Sequence, residues 1–302
     1  MANKKPRMIA SKNASSGPNI RTRTESIILW IFFGLFMIYA CTLFFPVIWT
    51  AYNSLKTGRE YNDDMFNLPS PIHWENYLAV FTTKFPNKIT IPFAVFNTIW
   101  RTVGSVTVGL FFTACTSYVT CKYSDRFKWL NHIYTFVVTI MIIPILGATA
   151  AAYQINWEIL QIADKPYLWW ITWTSGIGFG FLMQYSAWKN LSWNYAEAAF
   201  IDGASNFQVF FKIMMPMIKP ILTALFVVNF IGGWGEYMTT YMYMPSWPSL
   251  GYAIYYLQQR AAYMGMPMYF AIIMVSMVPT LGIFIAFQET IMQNMTTGGL
   301  KG

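Results

Sequence analysis

Residues 26–51 carry the sequence SIILWIFFGLFMIYACTLFFPVIWTA, a run of 26 residues without a charged side chain. A helix rises about 1.5 Å per residue, so about 20 apolar residues cross the roughly 30 Å hydrocarbon core of a bilayer. The same length criterion predicts further spans at about 93–120, 129–151, 167–188, 217–240 and 268–291. The fourth is rich in Trp, Thr and Gly, and the fifth is interrupted by Gly232, Gly233, Gly235 and Glu236.

The composition of the chain excludes an ordinary soluble domain. Of its 302 residues, 56% are hydrophobic and 11% are charged, whereas soluble domains carry about 25% charged residues. The sequence therefore predicts an all-α, polytopic membrane protein with six transmembrane helices. No soluble segment is large enough to form an enzyme domain, and no Walker A sequence occurs, so we expect no catalytic residues in this chain.

The formal charge of +8 is explained by membrane topology rather than by nucleic acid, because the basic residues are scattered over the loops. With a cytoplasmic N-terminus, the inner tails and loops hold 13 of the 20 Lys and Arg residues. This asymmetry predicts a membrane protein with both termini in the cytoplasm. The expected layout is a basic tail at 1–25, a six-span transmembrane domain at 26–291 and a tail at 292–302. An outer loop lies at about 52–92 and a cytoplasmic loop at about 189–216.

The three cysteines, Cys41, Cys115 and Cys121, lie in or beside apolar runs. Their number is odd, no CxxC pair exists, and neither histidine has ligand spacing from them. We therefore expect small hydrophobic residues rather than disulfides or a metal site.

The cytoplasmic loop contains a local pattern typical of helix, turn and helix. Ser192 is a candidate N-cap, and the following alanines favour a helix. Gly203 stands where a helix ends in a left-handed residue. Ser205 and Gln208 have the spacing of a capping box for a second helix, which Pro216 and Pro220 would end or redirect.

Two interpretations of this loop follow from its residues. Small side chains beside Glu197 and Asp202 would form a narrow knob with a carboxylate at each end, which suits docking into a groove of a partner. The alternative is an interfacial elbow that only joins two spans. The local pattern leaves both open.

The loop resembles the EAA loop of ABC-importer permeases. The matching positions are Glu197-Ala198-Ala199, Asp202-Gly203-Ala204, and Ile213 to Pro216, with Met215 in place of the customary Leu. The chain is similar over nearly its whole length to the carbohydrate branch, in particular to the second, six-span permease subunit of the maltose type. Further similarity lies at Pro69, Trp74, Asn76, Tyr77, Ala114, Ser117, Tyr118, Lys122, Pro144 and the glycine-rich end from Thr297 to Gly302.

The resemblance implies a complete transporter in a bacterial inner membrane. Its partners would be a second permease subunit in a heterodimer, two ATPase subunits and an extracytoplasmic sugar-binding protein, all at a lipid bilayer. This chain would bind no cofactor, and ATP and Mg²⁺ would bind the partner ATPase. The EAA loop would enter a cleft of the ATPase, and its movement would rock the permease halves between two states.

Four residues are candidates for the translocation path. Glu236 in the interrupted fifth span either faces the path, with Trp234 and Tyr237 as aromatic partners for sugar, or is solvated near the outer surface. Arg101 in the second span is expected by default to snorkel outward, with pairing to Glu236 as the alternative.

The outer segment 241–267 is the candidate docking surface for the binding protein, with Trp247, Tyr252 and Tyr255 as aromatic anchors. Two alternatives to a carbohydrate permease are a polytopic membrane enzyme, such as a lipid-linked glycosyltransferase, and a stand-alone secondary transporter. The enzyme would need converging acids or histidines, whereas the acids of this chain are dispersed. The secondary transporter would need no coupling loop.

Overall fold

The computed structural model of the protein describes residues 23–82, 90–143, 148–174 and 178–297. Every regular element within these ranges is a helix, as an all-α fold requires. The predicted tail at 1–22, Pro144 and the glycine-rich end at 298–302 lie outside the described residues. The chain divides into two compact units, Met1–Trp49 and Thr50–Gly302.

Helix α1, Arg23–Asn53, provides the described part of the first unit. Its most apolar window has a mean hydropathy of 2.4, and its apolar side chains are exposed. A helix that is apolar on every side suits a lipid environment. The helix includes the whole of the first predicted span.

The second unit contains helices of very different lengths. In chain order they are α2 Gly58–Asp63, α3 Glu75–Thr82, α4 Ile91–Lys122, α5 Leu130–Ile142, α6 Ala148–Gln154, α7 Phe179–Asn190, α8 Asn194–Ile201, α9 Asn206–Gln208, α10 Met215–Met217, α11 Lys219–Trp234, α12 Met238–Tyr243, α13 Leu250–Met264 and α14 Met266–Thr297. Three further segments wind differently. Ile155–Ile159 and Val209–Met214 are π-helical, and Pro166–Thr174 is a 3₁₀ helix.

Three described helices are long and apolar enough to cross a bilayer, namely α1, α4 and α14. A fourth candidate is the pair formed by Asn206–Met217 and α11, which is bent by 69°. The other predicted spans are not single straight helices. Span 129–151 is divided between α5 and α6, span 167–188 between the 3₁₀ helix and α7, and span 217–240 between α11 and α12. Helix length alone therefore does not establish six spans.

The predicted outer loop contains two short helices, α2 and α3. Between them, the buried ammonium group of Lys56 donates to the carbonyl of Asp64 over 3.0 Å and lies 5.1 Å from the ring centre of Tyr52. The side-chain amide of Asn76 donates to the carbonyls of Ser54 and Lys56, each over 2.8 Å. These contacts give the predicted outer loop a defined structure.

Helix α4 passes through both hydrophobic clusters of the second unit. Its N-terminal half packs against α3, α11, α13 and α14, in a cluster that includes Ile91, Phe230, Leu250 and Ile272. Its C-terminal half packs against α7, α8 and the π-helical turn, in a cluster that includes Tyr118, Trp188, Phe210 and Met214. One continuous helix thus connects the two halves of the core.

Candidate functional site

The segment Ser192–Met217 folds as helix, turn and helix, as its sequence predicts. The Ser192 hydroxyl accepts the backbone N–H of Asn194 over 3.3 Å at the start of α8. Ala196 and Ala199 are buried against the core, whereas Glu197 and Ala198 are exposed. The EAA positions therefore divide between an anchored face and a free face of one short helix.

Gly203 ends α8 in a left-handed conformation with φ of +83°. The N–H of Gly203 donates to the Phe200 carbonyl over 3.0 Å, and the N–H of Ala204 donates to the Ala199 carbonyl over 2.9 Å. These two bonds form a Schellman motif, in which glycine is favoured because a Cβ is strained at positive φ. A Cβ built at Gly203 meets no atom within 4 Å, so the local cost of substitution is backbone strain alone.

A capping box starts the second helical stretch. The Ser205 hydroxyl accepts the N–H of Gln208 over 3.4 Å, and the Gln208 side chain accepts the N–H of Ser205 over 2.8 Å. The stretch continues through the π-helical turn to α10, and the chain then bends by 69° into α11. The exposed Pro216 lies in α10, next to this bend, as the sequence predicts.

Aromatic contacts fix the second stretch to the helical core. The Phe210 ring lies 4.8 Å from Tyr118 on α4, and Tyr118 lies 5.1 Å from Trp188 on α7. The Trp188 indole N–H donates to the Ser117 hydroxyl over 3.0 Å. Since Trp188 and Met214 are fully buried, displacement of this segment must also displace α4 and α7.

The opposite face of the segment is solvent-accessible and partly apolar. Asp202 and Glu197 are exposed, and neither forms an ion pair within the described part of the chain. Ile201 is 86% exposed and Phe207 is 78% exposed. Neither residue was predicted from the sequence, although their positions on either side of the Asp202–Gly203 turn could have marked them. Ala204 and Ile213 are half-buried and pack against the core cluster.

Arg101 forms a buried charged cluster with the break between α11 and α12. Its Nη1 lies 3.2 Å from Glu236 Oε2 and donates to the Thr240 hydroxyl over 2.7 Å. Its Nη2 donates to the Glu236 carbonyl over 3.0 Å. Arg101 is only 8% exposed, so the default expectation that it snorkels outward is wrong. The guanidinium instead satisfies polar groups that are freed where the helix is interrupted.

The break itself is held by close backbone contacts. Glu236 Oε1 accepts the N–H of Thr239 over 2.7 Å at the start of α12. A Cβ at Gly251 would lie 2.6 Å from the Gly235 carbonyl oxygen, so only glycine permits α13 to approach here. The Thr98 hydroxyl of α4 accepts the N–H of Leu250 over 2.7 Å. Helices α4 and α13 therefore contact the break between α11 and α12 from two sides.

A cavity of about 250 Å³ opens beside this charged cluster. Its lining combines Arg101 and Glu236 with the aromatic side chains Trp169 and Trp173. A second cavity of about 450 Å³ adjoins it, because both are lined by Ser105 and Gly233. The second cavity is lined by Gly109 and Thr113 of α4 and by Asn229 of α11. The cavities follow one polar stripe of α4.

Trp234 and Tyr237 do not line the cavity beside Arg101. Trp234 is buried in the core, and its indole N–H donates to the Ser276 carbonyl over 3.0 Å. Trp234 thus does not reach this cavity, and its contribution to a translocation path stays a prediction. Tyr237 stacks on Tyr255 with ring centres 4.6 Å apart. The aromatic side chains that line this cavity are Trp169 and Trp173. Both lie in the fourth predicted span, which is rich in Trp, Thr and Gly.

The segment 241–267 is largely helical rather than a loop, because it contains the end of α12 and all of α13. Half-buried tyrosines form a cluster on these helices, consisting of Tyr237, Tyr252, Tyr255 and Tyr256 with the exposed Tyr241. Burial raises the pKa of Tyr252. Trp247 is half-buried, with its ring centre 6.1 Å from that of Phe93.

The described residues contain no group of three or more His, Cys, Asp or Glu side chains that could hold a metal ion. The three cysteines carry free thiols.

Residues 169–295 match the family described as "Binding-protein-dependent transport system inner membrane component". The chain is 25% identical to a diacetylchitobiose uptake system permease of Streptomyces coelicolor, over 89% of this chain and 87% of that protein. It is 24% identical to a maltose/maltodextrin transport system permease of Vibrio parahaemolyticus, over 93% and 96% respectively. An arabinooligosaccharides permease of Halalkalibacterium halodurans matches at 23% identity, over 94% of this chain and 100% of that protein.

The fold agrees with these matches. A solved bacterial ABC transporter involved in the import of the acidic polysaccharide alginate contains a chain with a TM-score of 0.73 and 20% identity. The match covers 90% of this chain and 99% of that one. In sequence and in fold, the present chain is thus similar to transport permeases of the ABC-importer type. More particularly, its similarity is to permeases of sugar uptake systems.

Proposed function

We propose that the chain is one of two permease subunits of a carbohydrate ABC importer and forms half of the translocation pathway. The observation that carries the proposal is the segment Ser192–Met217. One side of this segment packs against α4 and α7. The opposite, solvent-accessible side exposes Glu197, Ile201 and Asp202. Such a segment transmits the movement of a docked partner to the helices. The elbow alternative does not explain why large apolar side chains remain exposed at the turn.

The proposed partners follow from this role. Two ATPase subunits, which would bind ATP and Mg²⁺, receive the exposed face of the segment, and a second permease completes the pathway. The relatives named above are permeases for oligosaccharide uptake, and we propose that this chain also carries an oligosaccharide or a polysaccharide fragment. The cavity beside Arg101 supports a sugar pathway, because aromatic rings and charged hydrogen-bonding groups lie together there.

A reconstituted transporter tests this function. The complex purified through a tag on this chain should contain a second permease and an ATPase, and loaded sugar-binding protein should stimulate its ATP hydrolysis. Uptake into proteoliposomes should require ATP inside. An isolated chain that moves sugar without ATPase subunits would favour a secondary transporter, and turnover of a lipid-linked sugar would favour a membrane enzyme.

We further propose that the tyrosine cluster on α12 and α13, together with Trp247, docks the sugar-binding protein. Stacked and half-buried aromatic rings provide large rigid contact areas at interfaces. In the same assay, Tyr255→Ala should raise the concentration of binding protein that gives half-maximal stimulation. Tyr255→Phe should not, because it keeps the ring that stacks on Tyr237. If Tyr255→Ala and Tyr255→Phe require the same concentration of binding protein for half-maximal stimulation, the cluster has only a structural role.

Six spans with both termini in the cytoplasm remain our proposed topology. The interrupted helices agree with it, because broken helices at membrane depth are tolerated where they line a cavity. A single Cys introduced at Lys12 should react with an impermeant thiol reagent only after permeabilisation, in a background without native cysteines. A single Cys at Asn62 or Ser246 should react in intact spheroplasts. External labelling at position 12 would overturn the orientation.

A further inference from the structure

Two adjoining cavities lie beside the C-terminal end of α4, away from the Arg101 cluster. One is almost wholly apolar, has a volume of about 520 Å³ and is lined by Phe111, Cys115, Val119, Phe127, Phe207 and Phe211 among others. The other has a volume of about 560 Å³, and its lining includes three cations, Lys122, Arg126 and Lys189. Tyr123 and Asn206 line both cavities.

A single hydrogen bond marks the boundary between the cavities. The Tyr123 hydroxyl donates to Asn206 Oδ1 over 3.3 Å. This bond connects the end of α4 to α9. The Arg126 guanidinium lies 5.5 Å from the ring centre of Phe127, and Phe127 lines the apolar cavity. A positive charge and an apolar groove thus lie side by side.

The cations of the second cavity are poorly neutralised by this chain. Its lining holds one carboxylate, Asp125, against three basic side chains. Lys122 donates to the Leu191 carbonyl over 2.5 Å. Across the residues that the structure describes, none of the three forms an ion pair with a carboxylate. The cavity therefore favours an anion.

We propose that the two cavities together bind one anionic glycerophospholipid. Its phosphate would lie among Lys122, Arg126 and Lys189, and an acyl chain would occupy the groove between Val119 and Phe211. Basic pockets between helices at the cytoplasmic side of a membrane suit anionic headgroups, and the inference rests on the proposed orientation of the chain. A free anion would leave the apolar cavity without an occupant, and a purely apolar partner would leave the cations unpaired.

The bound lipid would contact both α4 and the segment Ser192–Met217, which we call the coupling segment. Trp193, Asn206, Phe207 and Phe211 belong to that segment, whereas Phe111 and Val119 belong to α4. A lipid in this position fills the space between the two elements. It would therefore stiffen the connection through which movement of the segment reaches α4.

Native mass spectrometry of the purified transporter complex tests the proposal with dioleoylphosphatidylglycerol and dioleoylphosphatidylcholine as probes. The wild-type complex should retain the anionic lipid selectively. Arg126→Gln with Lys189→Gln should weaken retention about 25-fold, roughly fivefold for each charge removed. Lys128→Gln with Lys212→Gln is the matched control, because both residues are exposed and line neither cavity. Equal retention of the two lipids, or equal losses in the two double variants, would overturn the site.

A second variant separates a lipid from a free anion. Val119→Trp should fill the groove and abolish selective retention, whereas Val103→Trp, at another exposed position of α4, should not. Inorganic phosphate in millimolar excess should fail to displace the lipid. Displacement by phosphate, or full retention in Val119→Trp, would reduce the site to an anion pocket and contradict the proposal. Loss of the second permease from Val119→Trp would identify the groove as a subunit contact instead. Lipid retention is measured without transport. A failure of the lipid proposal can therefore be distinguished from a failure of the proposed transport function.

Discussion

Replacing Gly203 by Asp is expected to abolish substrate-stimulated ATP hydrolysis and sugar uptake while leaving the permease in the membrane at a near-normal level. The φ of +83° at this position imposes a strain of roughly 1–2 kcal/mol on an L-residue. The added side chain would also project from the turn between Asp202 and Ala204, on the exposed face that we propose to dock the ATPase. Uptake, ATP turnover and co-purified ATPase are measured together on the reconstituted complex.

Matched substitutions separate strain from charge. Asn and Asp are nearly isosteric and are similarly tolerated in the left-handed region, so Gly203→Asn keeps the strain of Gly203→Asp without its charge and should retain part of the activity. Glu197→Lys should abolish coupling as Gly203→Asp does, because it reverses a charge on the exposed face, whereas Glu197→Gln should weaken coupling only moderately. Normal uptake and normal ATP turnover in both Gly203→Asp and Glu197→Lys would show that the segment is an elbow.

Replacing Arg101 by Met is expected to destabilise the permease by about 3–5 kcal/mol, because it leaves a partly buried carboxylate without its partner. Glu236 is 34% exposed at its side chain, and Arg101 also supports the Thr240 hydroxyl and the Glu236 carbonyl. The lost interactions lie where α11 is interrupted. The melting temperature of the purified complex in detergent should fall, and uptake should fall with it.

The partner substitution and the double variant decide whether the pair acts as a unit. Glu236→Gln should cost less than Arg101→Met, since the single amide oxygen of glutamine still accepts from one of the two donors, Arg101 or the N–H of Thr239. Arg101→Met with Glu236→Met should be more stable than Arg101→Met alone, because no unpaired charge remains. Arg101→Lys keeps the positive charge but loses the planar guanidinium, whose two nitrogens donate to the Thr240 hydroxyl and to the Glu236 carbonyl. Additive losses in the double variant would mean that the two side chains do not interact.

The features that sequence predicted well are determined locally. An uninterrupted apolar run such as residues 26–51 has no stable alternative to a helix in lipid. The turn at Gly203 and the capping box at Ser205 each depend on residues within five positions of one another. Their backbone conformations could therefore be predicted from adjacent residue types. The roles of Glu197 and Asp202 at a partner remain predictions.

The features that sequence missed depend on distant contacts. Arg101 meets Glu236 and Thr240 across 135 and 139 positions, and no local pattern distinguishes pairing from snorkelling. Trp234 and Trp169 are equally aromatic, yet only the second lines the cavity, because the first packs beside Phe230. The break at Ile143 in the third predicted span and the 3₁₀ winding in the fourth were hidden by apolar composition, which does not distinguish an α-helix from an extended residue or a 3₁₀ helix. Hydropathy gives the length of an apolar run and not its continuity.

The continuity of α4 has a mechanical consequence. Tyr118, which packs on the coupling segment, and Arg101, which lines the polar cavity, lie on one helix 17 residues apart. At about 1.5 Å per residue, the distance between them along the axis is about 26 Å. If the helix pivots as a rigid lever near Tyr118, a tilt of about 10° displaces the Arg101 end by roughly 4–5 Å. An angular change too small to disrupt the packing around Tyr118 would thus open or close a passage of molecular width at the other end.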